Sequence, residues 1–179
     1  MSAAVSRDCT VTGHSWGVEE SRRIFQPLGL HDTFAPGDYP WLGGGPHAHS
    51  YLVVDGRPVD VTELNSTIAG ASGALVSTPA DLDTFITALF DGRLLKPAQL
   101  TEMTHALPFT NNYGLGLNAT TTSCGLTNWG HGGYIQGFTA DLTSTLDGAH
   151  RLEIYATPLN YNATAATALQ SLTNKAYCP

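Results

Sequence analysis

The sequence predicts an α+β fold with an antiparallel β-sheet, on the strength of three observations. Residues 78–92 carry a complete helix signal with a start, a periodic apolar face and a stop. After residue 110, glycine and threonine become frequent and apolar residues alternate loosely, and residues 160–176 then return to a helical pattern. Helices and loops followed by strands and a closing helix are typical of α+β domains, in which the sheet is antiparallel.

Composition excludes several classes of protein. A chain of 179 residues with 42% hydrophobic and 13% charged residues is globular in character rather than disordered. Its net charge is −7, and its only lysines are Lys96 and Lys175, so we expect no nucleic-acid partner. We also expect no membrane partner, because no apolar run approaches the ~20 residues needed to span a bilayer. The first residues lack the pattern of a signal peptide.

The first half of the chain combines one helix, a long loop and a hairpin. Residues 15–26 have helical spacing of their apolar residues. Residues 31–50 are rich in proline and glycine and are expected to form a long loop. Residues 51–61 predict a short β-hairpin that turns at Asp55 and Gly56, since Asp-Gly is a favoured pair in two-residue hairpin loops.

The helix signal at 78–92 is the clearest in the chain. Thr78 is suited to the N-cap, Pro79 to the first helical position and Asp81 to the third, while Gly92 is suited to the end. A second short helix is expected over residues 97–105.

Residues 113–158 are expected to form three antiparallel strands, with His131 near the start of the middle one. The segments 134–146 and 150–157 have strand-like composition, and Asp147-Gly148 between them is a tight-turn pair. If the last strand lies at the edge of the sheet, it exposes unpaired backbone groups and invites self-association.

The chain is expected to close with a helix over 160–176, for which Asn160 is a suitable N-cap. We therefore expect a single partial domain over residues 1–179, with disorder in 1–11, helices and loops in 12–110, and strands plus the closing helix in 111–179.

The stretch GHGGYIQG at 130–137 is the main candidate for a functional strand. A strand edge offers backbone N–H groups that can stabilise a developing oxyanion, and glycines let a substrate backbone come close. Without its context the stretch would be read as a glycine-rich turn with a structural histidine, so its interpretation depends on the rest of the chain.

Several stretches together, in the same order and with similar spacing, resemble the serine-type D-alanyl-D-alanine carboxypeptidases and the class C β-lactamase-like serine hydrolases. The resemblance implies a partial β-lactamase/transpeptidase-like fold, acyl-enzyme chemistry, and neither a cofactor nor a metal. The matching stretches are TGHS (12–15), RIFQPLGLHDTF (23–34), SGALVSTPADLDTF (72–85), LFDGRLLKPAQLTEM (89–103), YGLGL (113–117) and GHGGYIQGF (130–138).

The family uses three motifs: Ser-x-x-Lys, Tyr-x-Asn, and Lys-Thr-Gly or His-Thr-Gly. Only the third has a counterpart here, at His131-Gly132-Gly133. The resemblance implies that His131 is the catalytic residue of this motif and that the backbone N–H of Tyr134 is an oxyanion donor. The residues three positions before Lys96 and Lys175 are not serine, and no Tyr-x-Asn occurs. We therefore expect an N-terminally truncated member of the family that is inactive alone. The missing N-terminal half of the domain would then be a partner of this chain.

The residues that the resemblance assigns to substrate binding depart from the family pattern. Gly132 replaces a threonine that binds a substrate carboxylate, Asn118 replaces an arginine, and Ile68 replaces a tryptophan of the cleft. Gly133 and Trp129 complete the predicted binding set. These departures make an esterase, an amidase or an acyltransferase as plausible as a carboxypeptidase.

Cys124 and Cys178 match positions that the carboxypeptidase subgroup joins by a disulfide bond, so the resemblance implies this bond here, while Cys9 is expected to be free. A disulfide points to an exported parent protein, although the chain shows no signal peptide, so its location stays open. The pair His47-x-His49 lacks a third ligand at helpful spacing and is interpreted as structural.

Two further functions stay open beside the hydrolase. The chain could be a noncatalytic module that binds a peptide or a cell-wall component, or a structural remnant of a truncated gene. Under the hydrolase interpretation the expected ligand is a peptide or a β-lactam-like small molecule.

Overall fold

The computed structural model describes residues 11–37, 39, 42–63, 65–107, 109–159 and 161–178. Three expectations fall outside these residues: the free Cys9, the cap at Asn160, and the disorder of the N-terminus, apart from Val11. Within the described part of the chain, no helix is both long and apolar enough to cross a membrane.

The first helix, α1, begins directly after Ser15. It consists of α-helical residues Trp16–Glu20, a π-helical turn Ser21–Phe25, and α-helical residues Gln26–Leu28. Gly29 ends it in the left-handed conformation, with φ of 69°. The helix therefore ends at Leu28, two residues after the end predicted from the sequence.

The hairpin forms where the sequence predicts it. Strands β1 (Tyr51–Val54) and β2 (Arg57–Asp60) pair antiparallel. Asp55 and Gly56 both have positive φ, of 51° and 76°, as a two-residue turn between twisted strands requires.

Helix α2 (Pro79–Phe90) confirms the cap signal, because the Thr78 side chain accepts a hydrogen bond from the N–H of Asp81. The carboxylate of Asp81 also accepts hydrogen bonds from the N–H of Asp32 at 2.9 Å and the hydroxyl of Thr33 at 2.7 Å. The cap thereby ties α2 to the loop that follows α1. Helix α3 (Pro97–Met103) follows.

The main sheet has four antiparallel strands in the order β3-β4-β5-β6, so the α+β class is confirmed but the expected count of three strands is wrong. The strands are β3 (Asn118–Thr121), β4 (Thr127–Ile135), β5 (Phe138–Ser144) and β6 (Arg151–Ala156). The segment 134–146 is divided because Gly137 adopts φ of +80° and turns the chain after Ile135. As a result His131 lies in the middle of β4 rather than near its start.

The two faces of the sheet pack on different helices. Ile86 and Leu89 of α2 form a core cluster with Leu117, and Trp129 and Leu142 pack against it. Because side chains alternate along a strand, their neighbours on β4 and β5 face the other way. On that opposite face lies helix α4 (Ala163–Tyr177), whose buried Tyr177 hydroxyl lies 3.0 Å from Oγ1 of Thr143.

Helix α4 starts at Ala163 rather than at residue 160, and its cap is Asn162, whose side chain accepts the N–H of Ala165. A disulfide bond joins Cys124, in the loop between β3 and β4, to Cys178 at the end of α4, with Cα atoms 5.8 Å apart. The pairing implied by the resemblance is confirmed. The bond fixes the end of α4 to the loop that precedes β4, the candidate functional strand.

Candidate active-site strand and cavity

Half of strand β4 has an open edge. Strand β5 pairs with β4 from Trp129 to Ile135, whereas β3 pairs only with residues 127–130. In the described part of the chain, no strand pairs with the outer edge of residues 131–135. Backbone N–H and C=O groups on such an edge are available to an extended ligand or to a reacting carbonyl oxygen.

The predicted catalytic residues lie on this open segment. The side chains of His131 and Tyr134 are exposed, as are Gly132 and Gly133 between them. The ring of Tyr113 contacts the His131 imidazole edge-on, with ring centroids 5.7 Å apart and an interplanar angle of 77°. Sequence reasoning gave Tyr113 no role, although it begins the YGLGL stretch.

The glycines of β4 serve different purposes. A Cβ atom on Gly130 would overlap the carbonyl oxygen of Leu142 and lie 2.8 Å from Cα of Thr143, so this glycine allows β5 to approach. A Cβ atom on Gly132 would lie 3.2 Å from Oδ1 of Asp141. At Gly133 it would meet nothing within 4 Å, so this glycine keeps space open beside the edge.

A polar cavity of about 470 Å³ lies between the sheet and α4. Its walls include Asn118, together with the segment Gly130–Tyr134 that holds both predicted catalytic residues and both predicted binding glycines. Trp129 packs instead against the core under α2. Ile68, 67% exposed in the 3-10 turn Ser66–Ile68, does not line the cavity. The structure thus brings together most, but not all, of the predicted site.

Two cavity residues were missed by sequence reasoning. Asp141 lies directly across from Gly132 in the pairing of β5 with β4. Burial raises the pKa of its carboxyl group, and the nearby His131 partly opposes this shift. Asn128 is 1% exposed, and neither its amide nitrogen nor its amide oxygen has a hydrogen-bond partner.

The mouth of the cavity is aromatic. Tyr134 and Tyr161 stack with ring centroids 5.1 Å apart and an interplanar angle of 28°. Both rings line the cavity and both are partly open to solvent, at 51% and 41% exposure. The site therefore combines a backbone edge, a carboxyl group, an unpartnered amide and an aromatic wall.

Two described serines, Ser72 and Ser123, make hydrogen bonds that bring no basic group to the hydroxyl. Ser72 donates its hydroxyl hydrogen bond to the carbonyl oxygen of Ala69, and Ser123 lies 3.7 Å from Sγ of Cys178. Neither contact supplies the basic group that nucleophilic catalysis by a serine needs.

The fold agrees with the comparisons with known proteins. Residues 9–151 match the family model described as Beta-lactamase, so the chain belongs to the β-lactamase-like serine hydrolase family. It is similar to a D-stereospecific amidohydrolase from Streptomyces sp., with 35% identity and a TM-score of 0.81 over 93% of this chain and 51% of that one.

Other similar structures extend the comparison. A D-amino acid amidase from Ochrobactrum anthropi SV3, complexed with L-phenylalanine, has 26% identity and a TM-score of 0.77 over 97% of this chain and 53% of that one. A penicillin-binding protein homologue from Pyrococcus abyssi has 19% identity and a TM-score of 0.70 over 92% of this chain and 39% of that one, which indicates the fold alone. The chain spans about half the length of the first two structures.

Proposed function

We propose that this chain provides the substrate-binding strand of a serine amidohydrolase and forms no acyl-enzyme on its own. The observation that carries the proposal is the open edge of β4 at residues 131–135, which is exposed and rich in glycine. Within the 179 residues neither Ser-x-x-Lys nor Tyr-x-Asn occurs, so the nucleophile and its base would come from another segment.

In the proposed reaction the carbonyl group of the substrate lies against this edge. The N–H of Tyr134 donates a hydrogen bond to the carbonyl oxygen as it becomes negative during attack by the serine. His131, whose ring is in contact with Tyr113, adds a polar group at the same edge. The serine forms an ester with the acyl part of the substrate, the amine leaves, and water then hydrolyses the ester.

An amide is a more suitable substrate here than a peptide with a terminal carboxylate. The cavity beside the edge has no lysine or arginine among its described lining residues, and Asn118 and Gly132 stand where the family pattern has an arginine and a threonine. A bound carboxylate would lose its hydration without gaining a cationic partner. The similar structures named as an amidohydrolase and an amidase support the same choice.

The purified chain alone is expected to give no covalent adduct with a fluorescent penicillin and no hydrolysis of a D-phenylalanine anilide. The physical reason is the absence of an activated serine, since removing the nucleophile from a serine hydrolase removes nearly all of its rate. Intact-mass spectrometry measures the adduct directly. A stoichiometric acyl adduct that maps to a serine of this chain would contradict the proposal.

A noncatalytic binding module is the second candidate, and the same open edge favours it. An extended peptide could pair with residues 131–135 through backbone hydrogen bonds, as in other cases of strand addition. On the far side of the sheet, β6 is the last strand, and in the described part of the chain its outer edge is unpaired. We propose that this second edge receives either a further segment of the family fold or another copy of the chain.

A further inference from the structure

The polar cavity between the sheet and α4 has a charge that selects its ligand. Asp141 supplies a carboxyl group, and no lysine or arginine is present among the described residues of the wall. The other titratable side chains on this face are Tyr134 and Tyr161. The ring of His131, two residues from Trp129 on β4 and opposite Leu142, lies on the opposite face of the sheet. The carboxyl group of Asp141 is therefore the acidic group that sets the electrostatics of the cavity.

A buried amide points to the same cavity. Asn128 lines it, is 1% exposed, and has no hydrogen-bond partner for either polar atom of its side chain. Leaving a buried polar group unpaired destabilises the folded state. Asn128 lies four residues from Gly132 along β4, so its amide marks the far end of the cavity and is a separate hydrogen-bonding point from Asp141.

The position of Asp141 depends on the glycine opposite. Its Oδ1 lies 3.2 Å from the point where a Cβ atom of residue 132 would stand. A threonine at this position would crowd the carboxylate, whereas Gly132 leaves it room beside β4. The pair Gly132 and Asp141 therefore places negative charge next to the open edge.

The aromatic mouth completes the set of recognition groups. The stacked rings of Tyr134 and Tyr161 offer an apolar surface and, through their electron-rich faces, an attraction for cations. A volume of about 470 Å³ is within the usual range for small-molecule sites.

We infer that this cavity binds a primary ammonium group attached to an apolar or aromatic body, with the carboxylate of Asp141 as the counter-ion and the stacked rings of Tyr134 and Tyr161 against the body. If the proposed function holds, this ligand is the free amino end of an amino-acid amide substrate. The ammonium site itself requires no acyl transfer, so it can be tested separately.

The test uses three probes of similar shape on the intact chain at neutral pH: 2-phenylethylamine as the cation, its N-acetyl derivative as the neutral analogue, and 3-phenylpropionate as the anion. Binding is followed by NMR at the backbone amides of Gly130, Gly132 and Gly133. The cation is expected to shift these signals in a saturable way, and the other two probes at least about tenfold more weakly.

The variant Asp141→Asn keeps the side-chain shape and removes the charge, and it is expected to weaken binding of the cation by about tenfold. The matched control is Asp55→Asn, which changes the net charge equally in the hairpin turn, where asparagine tolerates the positive φ of 51°. It should leave binding unchanged.

Equal binding of the cation and the neutral probe, unchanged affinity in Asp141→Asn, or no saturable shift with any probe would each overturn the inference. None of these results bears on the proposed acyl transfer, because 2-phenylethylamine has no amide bond to cleave. Conversely, a failure of the acyl-transfer proposal would leave a measured ammonium site intact.

Discussion

Replacing Gly130 with alanine is expected to lower the free energy of unfolding by more than about 3 kcal/mol. The added Cβ atom would overlap the carbonyl oxygen of Leu142 and approach Cα of Thr143 to 2.8 Å. Both are backbone atoms of the neighbouring strand, so relief requires β4 and β5 to separate. Urea unfolding followed by circular dichroism measures the change.

Gly133→Ala is the matched control, three residues along the same strand. A Cβ atom there meets nothing within 4 Å, so the change in unfolding free energy should stay within about 0.5 kcal/mol. Similar losses of stability for the two variants would show that Gly130 is not the point of close approach between the strands.

Removing the disulfide bond with the double substitution Cys124→Ala and Cys178→Ala is expected to cost about 4 kcal/mol of stability, because the two residues are 54 positions apart and the unfolded chain gains the freedom of that loop. The bond also holds the end of α4 against the loop between β3 and β4. In this loop, the N–H of Ser123 donates a hydrogen bond to Oδ1 of Asn174 at 3.0 Å.

The urea midpoint of the native chain should fall to that of the double variant when reductant is added, and the double variant should not respond to reductant. A midpoint of the native chain that is independent of reductant would mean that the bond contributes nothing to stability.

The sequence was informative wherever structure depends on neighbouring residues. Thr78 and Asp81 form the predicted cap because capping requires only a side chain and an N–H within one turn. Asp55 and Gly56 form the predicted turn for a similarly local reason. The boundary between β4 and β5 was missed, because the turn at Gly137 lies inside a continuous strand-like pattern.

The candidate site was also predicted only in part. His131 and Tyr134 were identified because the matching stretches occur in this sequence in the order typical of the family. Their catalytic roles stay predictions. Asp141 and Asn128 were missed because their importance arises from the register between strands and from burial under α4. Neither property can be deduced from a short stretch of sequence such as FTADLTS.

The central claim is that the open edge of β4 is the oxyanion strand of a serine hydrolase whose nucleophile lies on another segment. The most direct measurement is covalent labelling by an activated ester of a fluorescent acyl group, which carries no carboxylate, after co-expression with a family segment that carries Ser-x-x-Lys and Tyr-x-Asn. We predict an acyl adduct on the serine of that segment that requires the present chain.

Labelling should fall at least about tenfold with His131→Ala, as expected for a lost active-site group, and should persist with His31→Ala, which changes an exposed histidine in the turn after α1. Labelling that occurs without this chain, or that is the same with His131→Ala as with the native sequence, would contradict the claim.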